Sequence, residues 1–168
     1  ALRPETAQYH MNRGDALRDL ARLEDAEAAY QAAISLKPDL LEVYLNLAHV
    51  VHLQGRNEAA VAAFQRAIEC RPDYVEAHQG MGHALRRLGR LEEAEAAYRR
   101  AVELKPDDVT LHIDLGKLLR ETSRYAAALG SLQRALALNP DSDAAINHLA
   151  VTLLDMGRHD EALEAFRR

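Results

Sequence analysis

The residues of this sequence that could carry chemistry are its eight histidines and its single cysteine. His49 and His52 are three residues apart, so they would share one face of a helix, and His83 could join them from a neighbouring segment. A zinc site needs three or four ligands in a fixed geometry, together with partners that orient each ring. Three of the other histidines fall instead in a column of packing positions, namely His10, His78 and His112. We therefore predict no metal site and no cofactor.

No motif of bond-making chemistry accompanies these residues. There is no glycine-rich phosphate loop, no Gly-x-Ser-x-Gly motif, and no pair of carboxylates with a cleft to serve. Glu92, Glu93 and Glu95 are typical of the solvated start of a helix. Cys70 stands where equivalent segments carry leucine, so we interpret it as a core residue and not as a nucleophile. We predict that residues 1–168 contain no active site and that the chain is not an enzyme.

Charge and composition exclude other classes of function. The formal net charge of −5 and the isoelectric point near 5.9 argue against a nucleic-acid binder, which would need a positive surface. A single cysteine allows no internal disulfide, which favours a reducing compartment, and we expect the cytoplasm. The sequence has no run of about 18 apolar residues. The given residues also show no basic-then-apolar signal-peptide pattern, and we expect no membrane partner.

Proline divides the chain into equal segments. Each of the five prolines lies 34 residues after the one before, at Pro4, Pro38, Pro72, Pro106 and Pro140. A constant period of this length is typical of a repeat protein. With proline at position 32, the repeats are 7–40, 41–74, 75–108, 109–142 and 143–168, of which the last is incomplete. Residues 1–6 match the last six positions of a preceding repeat, so we expect the chain to be a fragment of a longer array.

Other columns of the repeat predict two helices in each copy. Positions 4, 7, 8 and 11 form the apolar stripe of one helix, and positions 20, 24, 27 and 28 form that of a second. Position 8 and position 20 carry glycine or alanine, which lets the two helices approach closely, while a bulky side chain at position 24 fills the space between repeats. Glycine at position 15 of three repeats would supply a left-handed turn after the first helix. Because alanine is abundant and no stretch alternates as a strand would, the sequence predicts an all-α protein.

This pattern resembles the tetratricopeptide repeat (TPR) family, which uses small residues at positions 8, 20 and 27, an aromatic residue at 24 and proline at 32. The resemblance covers essentially the whole chain. It implies a single domain with a right-handed α-solenoid of stacked antiparallel helix pairs, in which the first helices line a concave groove. The stretch "LKPDLLEVYLNLAHVVHLQGR" is most similar to the TPR arm of O-GlcNAc transferase-like bacterial multidomain proteins.

The resemblance also implies that the groove is lined by positions 2, 5, 6, 9, 12 and 13 of each repeat. Among the polar residues there, the candidates for partner binding are Asn12, Asp15, Asp19, Asn46, His49, His52, Gln79, His83, Arg86, Arg87, Asp114, Lys117, Arg120, Asn147 and His148. The groove would be acidic in the first repeat and basic in the third and fourth. Arg86 and Arg120 occupy equivalent positions and could form a ladder for carboxylates or phosphates. We hypothesise that an acidic extended segment binds across repeats 3 and 4; the alternative is a solvated charged face.

Asparagines at position 6 of O-GlcNAc transferase-like arms form a ladder that holds a peptide backbone. An amide suits this task because it offers both a donor and an acceptor. Asn12 and Asn46 match that ladder, whereas Gly80, Asp114 and His148 interrupt it.

These features predict a protein-interaction scaffold that binds a peptide segment or a partner protein and makes no bonds. Two alternatives stay open. The chain could be the substrate-recruiting arm of a larger enzyme, a glycosyltransferase or sulfotransferase, whose catalytic domain is absent here. It could instead be a homotypic assembly module, because the uncapped ends of a solenoid expose apolar surface.

Overall fold

The computed structural model describes residues 6–167, and every regular element in that range is an α-helix. In chain order the helices are α1 (Ala7–Asp19), α2 (Leu23–Leu36), α3 (Leu41–Leu53), α4 (Asn57–Cys70), α5 (Val75–Arg87), α6 (Leu91–Leu104), α7 (Val109–Glu121), α8 (Tyr125–Leu138), α9 (Asp143–Asp155) and α10 (His159–Phe166). We call the odd-numbered helices first helices and the even-numbered ones second helices. The prediction of an all-α fold is confirmed. The expected end of a preceding repeat, residues 1–6, lies outside the described residues except for Thr6.

The chain divides into two compact units, and each is described by itself. The first unit ends at Arg90 and contains α1 to α5, and the second begins at Leu91 and contains α6 to α10. Within each unit every helix packs against the next along the chain, as expected for stacked helix pairs. First helices of one unit also contact each other, α1 with α3, α3 with α5, and α7 with α9. Between Thr6 and Arg167 no helix is long and apolar enough to cross a membrane.

Small residues set the distance between paired helices, as predicted. Gly14 faces the ring of Tyr30, and a Cβ atom at this glycine would lie 2.5 Å from the Cε1 atom of the ring. Gly116 faces Leu132 in the same way, with 2.7 Å to Cγ. Both opposing side chains are fully buried. A side chain at either glycine would therefore push the two helices of that pair apart.

The turn after each first helix contains one residue in the left-handed conformation. Gly55, Gly89 and Gly157 have φ values of 78°, 73° and 75°. Ala21 and Ser123 occupy the equivalent positions and adopt φ of 58° despite their side chains. A left-handed residue with a side chain carries a penalty of about 1–2 kcal/mol. The packing of the helix pair thus imposes this turn even where glycine is missing.

Two histidines of the packing column connect one helix pair to the next. His78 and His112 are buried, and Nε2 of each lies 2.9 and 2.8 Å from the carbonyl oxygens of Pro72 and Pro106. A carbonyl oxygen can only accept, so Nε2 carries the hydrogen and donates. These histidines are structural, as the sequence predicts.

Ion pairs join each of two second helices to the residue just before the next second helix. Arg56 donates to Glu27 at 2.6 Å, and Arg124 pairs with Glu95 at the equivalent place in the second unit. Partial burial alone would raise the pKa of Glu95. Hydrogen bonds from Arg99 and Arg124 outweigh that burial and hold the pKa of Glu95 below its ordinary value of 4.5.

The interpretation of Cys70 as a core residue is wrong, because its side chain is exposed. Leu36, the equivalent residue of α2, is also 51% exposed. Each is the last residue of its second helix. Leu104 and Leu138 end their second helices at the same position and are half-buried, so this position lies at the edge of the core and not within it.

Candidate functional site

The predicted site residues of the first unit lie on α1, α3 and α5, the three first helices that contact one another. We call the surface formed by positions 5, 6, 9, 12 and 13 of these helices the first-helix face. Four of its predicted residues are exposed, namely Asn12, Asp19, His49 and Arg87. Six more are half-buried, namely Asp15, Asn46, His52, Gln79, His83 and Arg86. Every predicted site residue of this unit is therefore in reach of solvent.

Asp15 is the centre of a hydrogen-bond network on this face. Its Oδ1 atom accepts from the hydroxyl of Tyr30 at 2.7 Å and from Nδ2 of Asn46 at 2.9 Å. Burial, followed by the bond to Asp15, raises the pKa of Tyr30, so the hydroxyl stays protonated and continues to donate. The network holds Asn46 in one orientation. Tyr30 is a member of this network that sequence reasoning missed, because position 24 identified it only as a core ring.

Arg18 balances the acidic residues of the first repeat. Its Nε and Nη2 atoms donate to Oδ1 of Asp19 at 3.2 and 3.1 Å, and Nη1 lies 3.7 Å from Oδ1 of Asp15. The sequence predicts an acidic start of the groove. In the structure both carboxylates have a guanidinium beside them, so that end carries less negative charge than the sequence suggests.

Asn57 orients His52. The Nδ1 atom of His52 lies 2.7 Å from Oδ1 of Asn57, whose Nδ2 atom donates to the carbonyl of Gly55 at 3.3 Å. Because the amide nitrogen bonds to that carbonyl, we assign the amide oxygen to the imidazole side, and Nδ1 of His52 then donates. Nε2 is consequently the ring atom that can meet a ligand. A signal for this role was present in the sequence, since the other repeats carry Leu23, Leu91, Tyr125 and His159 where this one has asparagine.

The pKa of His49 responds to the charges that surround its ring. Its ring stands edge-on to Phe64, with 5.3 Å between centroids and 85° between planes. Loss of hydration at that contact, followed by the charges of His52, Arg18 and His83, lowers the pKa of His49. These three residues come from α3, α1 and α5, so basic groups of three helices lower the pKa of one imidazole.

The asparagine ladder of position 6 stops at Gly80 for a steric reason. Phe64 of the preceding helix is fully buried, and a Cβ atom at Gly80 would overlap the Cζ and Cε1 atoms of its ring. No amide side chain can follow Asn12 and Asn46 at this place, because the ring of Phe64 occupies the space.

The two predicted cations of the second unit are paired within that unit. Arg120 donates through Nη1 to Asp155 at 2.9 Å, and Nζ of Lys117 lies 3.8 Å from Oδ1 of the buried Asp114. Sequence reasoning missed Asp155, which lies 35 residues from its partner and at a groove position of its own repeat. The remaining predicted residues of this unit lie on α9, with Asn147 exposed and His148 half-buried.

Residues 6–167 contain no group of three histidine, cysteine or acidic side chains arranged to hold a metal ion. A cleft of about 420 Å³ lies in the second unit between α8, α9 and α10, and both aliphatic residues such as Leu129 and Ile146 and charged residues such as Arg158 and Glu161 line it. The polar groups on the first-helix face are amides, imidazoles, guanidinium groups and the carboxylates of Asp15 and Asp19, which recognise ligands by hydrogen bonds and charge.

A family model described as "Tetratricopeptide repeat" matches residues 42–109 and 113–168, and a second described as "TPR repeat" matches residues 14–55. The chain belongs to the tetratricopeptide repeat family. The resemblance found in the sequence is thereby confirmed. TPR repeats are typically interaction modules without catalysis, and this TPR chain is accordingly a protein-interaction scaffold.

Solved structures share the TPR fold over almost the whole chain. MamA from Desulfovibrio magneticus RS-1 is 18% identical, with a TM-score of 0.90 over 99% of this chain and 94% of that one. YrrB, described as a TPR protein with an unusual peptide-binding site, is 23% identical, with a TM-score of 0.80 over 96% and 83%. A thermophilic TPR protein from Thermus thermophilus, TTC0263, is 25% identical, with a TM-score of 0.73 over 96% and 89%. These likenesses show the fold and not the ligand. No curated protein matches the sequence.

Proposed function

We propose that this TPR chain binds a peptide segment, or an extended part of a partner protein, along the first-helix face of its first unit. The observation that carries the proposal is the convergence of amide, imidazole and guanidinium groups from α1, α3 and α5 on one solvent-accessible face. Binding would use hydrogen bonds and charge, and no covalent bond would change.

The amides of this face suit an extended peptide backbone, which offers a donor and an acceptor at each residue. Nδ2 of Asn46 uses one hydrogen on Asp15, which leaves its oxygen and its second hydrogen for a ligand. Oδ1 of Asn12 accepts from Gln8 at 2.8 Å, which orients that amide as well. Side chains already held in one orientation lose less entropy when a ligand binds.

The second helices offer a different kind of surface. Their outward side chains form ion pairs within one helix, such as Arg99 with Glu95 at 2.9 Å and Arg100 with Glu103 at 3.0 Å. Pairs three or four residues apart are typical of a solvated helix surface and add little to stability. Because α1 carries such a pair as well, Arg18 with Asp15 at 3.7 Å, the choice of the first helices rests on their amide and imidazole side chains.

Site-specific photo-cross-linking tests the proposal. A photoreactive amino acid replaces Asn12 on the first-helix face or Gln31 on α2 as the matched control, since both side chains are exposed. When each variant is mixed with extract from the source cell and illuminated, only the variant with the photoreactive group at position 12 should trap partner proteins or peptides. Equal trapping at both positions, or trapping at position 31 alone, would contradict the proposed surface.

The other functions suggested by the sequence stay predictions. The length of the parent gene would test the arm of a larger enzyme, and light scattering across concentrations would test homotypic assembly. Binding of an acidic segment across repeats 3 and 4 is tested by reversing the charges of Arg86 and Arg120, and an unchanged partner affinity would contradict it.

A further inference from the structure

We propose that His52 and Asn57 give the first-helix face a fixed hydrogen-bond acceptor, which selects a ligand that presents a side-chain amide and disfavours a carboxylate. The inference rests on the proposed function, because it names the ligand chemistry that one part of the same face can recognise. Three features of the structure support it: the contact between the two residues, the second nitrogen of the ring, and the residues at the equivalent positions of the other repeats.

Two hydrogen bonds fix the imidazole of His52. Its Nδ1 atom lies 2.7 Å from Oδ1 of Asn57, and Nδ2 of Asn57 donates to the carbonyl oxygen of Gly55 at 3.3 Å. Since a carbonyl oxygen can only accept, the amide nitrogen faces Gly55 and the amide oxygen faces the ring. Nδ1 therefore carries the hydrogen of the neutral ring, and Nε2 carries a lone pair.

The lone pair of Nε2 is available to a ligand. Within residues 6–167 this nitrogen of His52 has no hydrogen-bond partner, and the side chain is half-buried. Position 12 of the repeat belongs to the first-helix face, so the ring lies among the side chains proposed to contact a partner. An acceptor that is already held in one orientation loses little entropy when a donor binds to it.

The equivalent positions of the other repeats do not form this acceptor. Position 12 carries arginine in three of them, at Arg18, Arg86 and Arg120, and a guanidinium group only donates. The fifth repeat has Leu154 there. Position 17, where Asn57 lies, holds leucine, tyrosine or histidine in the other repeats. The imidazole and the amide that orients it thus occur together in one repeat.

The charge of the preferred ligand group follows from the ring and its surroundings. A carboxylate has no hydrogen to donate, so its oxygens would meet the lone pair of Nε2 without forming a bond. The pKa of the neighbouring His49 is lowered by burial and then by the charges of His52, Arg18 and His83. Arg18 is charged at every working pH, so a ligand ammonium would be repelled at this place. An amide N–H can donate without either penalty.

A purely structural role makes a different prediction. Asn57 is the first residue of α4 and bonds to the turn after α3, so its side chain would serve only to stabilise that turn. In that case Asn57→Leu would lower the free energy of unfolding and would leave the relative affinity for different ligands unchanged. The ring tautomer and the ligand preference therefore have to be measured beside stability.

Nitrogen-15 nuclear magnetic resonance of histidine-labelled protein tests the ring without any ligand. In the neutral ring of the wild type, His52 should carry hydrogen on Nδ1 and none on Nε2. In Asn57→Leu the partner of Nδ1 is lost, so the ring should exchange between its two tautomers. The equivalent residues of repeats 1 and 3 are Leu23 and Leu91, so the fold should tolerate this substitution. Hydrogen on Nε2 of the neutral wild-type ring would overturn the inference.

Three labelled peptides of equal length test the ligand chemistry, namely (Gly-Gln)₄, (Gly-Glu)₄ and (Gly-Lys)₄. Glutamine and glutamate side chains have nearly the same shape, but only the amide can donate. Fluorescence anisotropy measures the affinity of the whole chain for each peptide. On the scale of one net hydrogen bond, (Gly-Gln)₄ should bind about fivefold more tightly than (Gly-Glu)₄.

Substitutions show how much of that preference the ring causes. His52→Leu introduces the residue that the fifth repeat has at this position, and it should weaken binding of (Gly-Gln)₄ about fivefold while leaving (Gly-Glu)₄ unchanged. His52→Gln should keep most of the affinity, because its amide oxygen can replace Nε2 as the acceptor. His159→Leu, which changes an exposed histidine outside the face, is the matched control and should change neither affinity.

The outcomes separate the inference from the proposed function. If His52→Leu changes the affinities for (Gly-Gln)₄ and (Gly-Glu)₄ equally, or weakens (Gly-Lys)₄ most, the inference is overturned. If no peptide binds while cross-linking at Asn12 still traps a partner, the ligand chemistry is wrong and the proposed binding surface stands. If cross-linking fails as well, both are wrong.

Discussion

Replacing Gly80 by alanine tests the steric account of the first-helix face. The new Cβ atom would overlap Cζ and Cε1 of Phe64 and would lie 3.0 Å from Cε2. The ring is fully buried, and the imidazole of His49 stands against it. The ring therefore has to move into occupied space, or α5 has to shift away from α4.

Two opposing effects decide how much Gly80→Ala changes the free energy of unfolding. Overpacking a filled core destabilises by about 1–3 kcal/mol. Alanine in place of glycine within a helix stabilises by about 0.8–1 kcal/mol. The net expectation is that Gly80→Ala lowers the free energy of unfolding by about 1 kcal/mol. When Phe64→Leu removes the obstructing ring, the same substitution should instead be stabilising by about 0.8–1 kcal/mol, which gives a coupling energy of about 2 kcal/mol.

Urea unfolding followed by circular dichroism of the wild type, the two single variants and the double variant supplies the four free energies. Gly130→Ala in α8 is the matched control, because no atom lies within 4 Å of its added Cβ. It should stabilise by about 0.8–1 kcal/mol. A stabilising Gly80→Ala in the presence of Phe64, or a coupling energy below about 0.5 kcal/mol, would refute the steric argument.

Three further predictions concern the turn, the hydrogen-bond network and the ion pair. Ala21→Gly should raise the free energy of unfolding by about 0.5–1 kcal/mol, because it relieves the left-handed strain at φ of 58°. A melting temperature below that of the wild type would contradict this. Tyr30→Phe should lower the free energy of unfolding by about 1.5–3 kcal/mol, since it removes a buried hydrogen bond to the carboxylate of Asp15, and urea unfolding measures the change. The lowered pKa of Glu95 means that its folded state binds a proton more weakly than its unfolded state. Its stabilisation is therefore fully present above about pH 4.5 and is lost as the pH falls through the folded pKa. The free energies of unfolding of wild type and Glu95→Gln, measured with urea, should become equal only below that folded pKa.

Much of the fold could be predicted because the packing depends on residue size at fixed spacing. The small residues that face Tyr30 and Leu132 were visible as a column, and so was the need for a left-handed turn after each first helix. Ala21 shows the limit of that reasoning, since packing imposes a conformation that its own side chain disfavours. Cys70 shows another limit, because an apolar column does not reveal that the helix ends there at the surface.

The candidate site was less predictable, because its charges depend on contacts between distant residues. Helical periodicity identified His52 but not Asn57, whose amide decides which ring nitrogen can meet a ligand. It identified Arg120 as a cation but not the ion pair that Arg120 forms with Asp155. Such pairings follow from the three-dimensional packing of helices and not from the spacing of residues along any one helix.

The central claim is that ligands bind on the first-helix face, and histidine imidazole signals test it most directly. In nuclear magnetic resonance spectra of histidine-labelled protein, saturation with the partner segment identified by cross-linking at position 12 should shift the ring signals of His49, His52 and His83. The rings of His78 and His112 should not shift, because both are buried and donate to proline carbonyls. Unchanged signals from the first three histidines in a protein shown by anisotropy to be saturated with that segment would contradict the account.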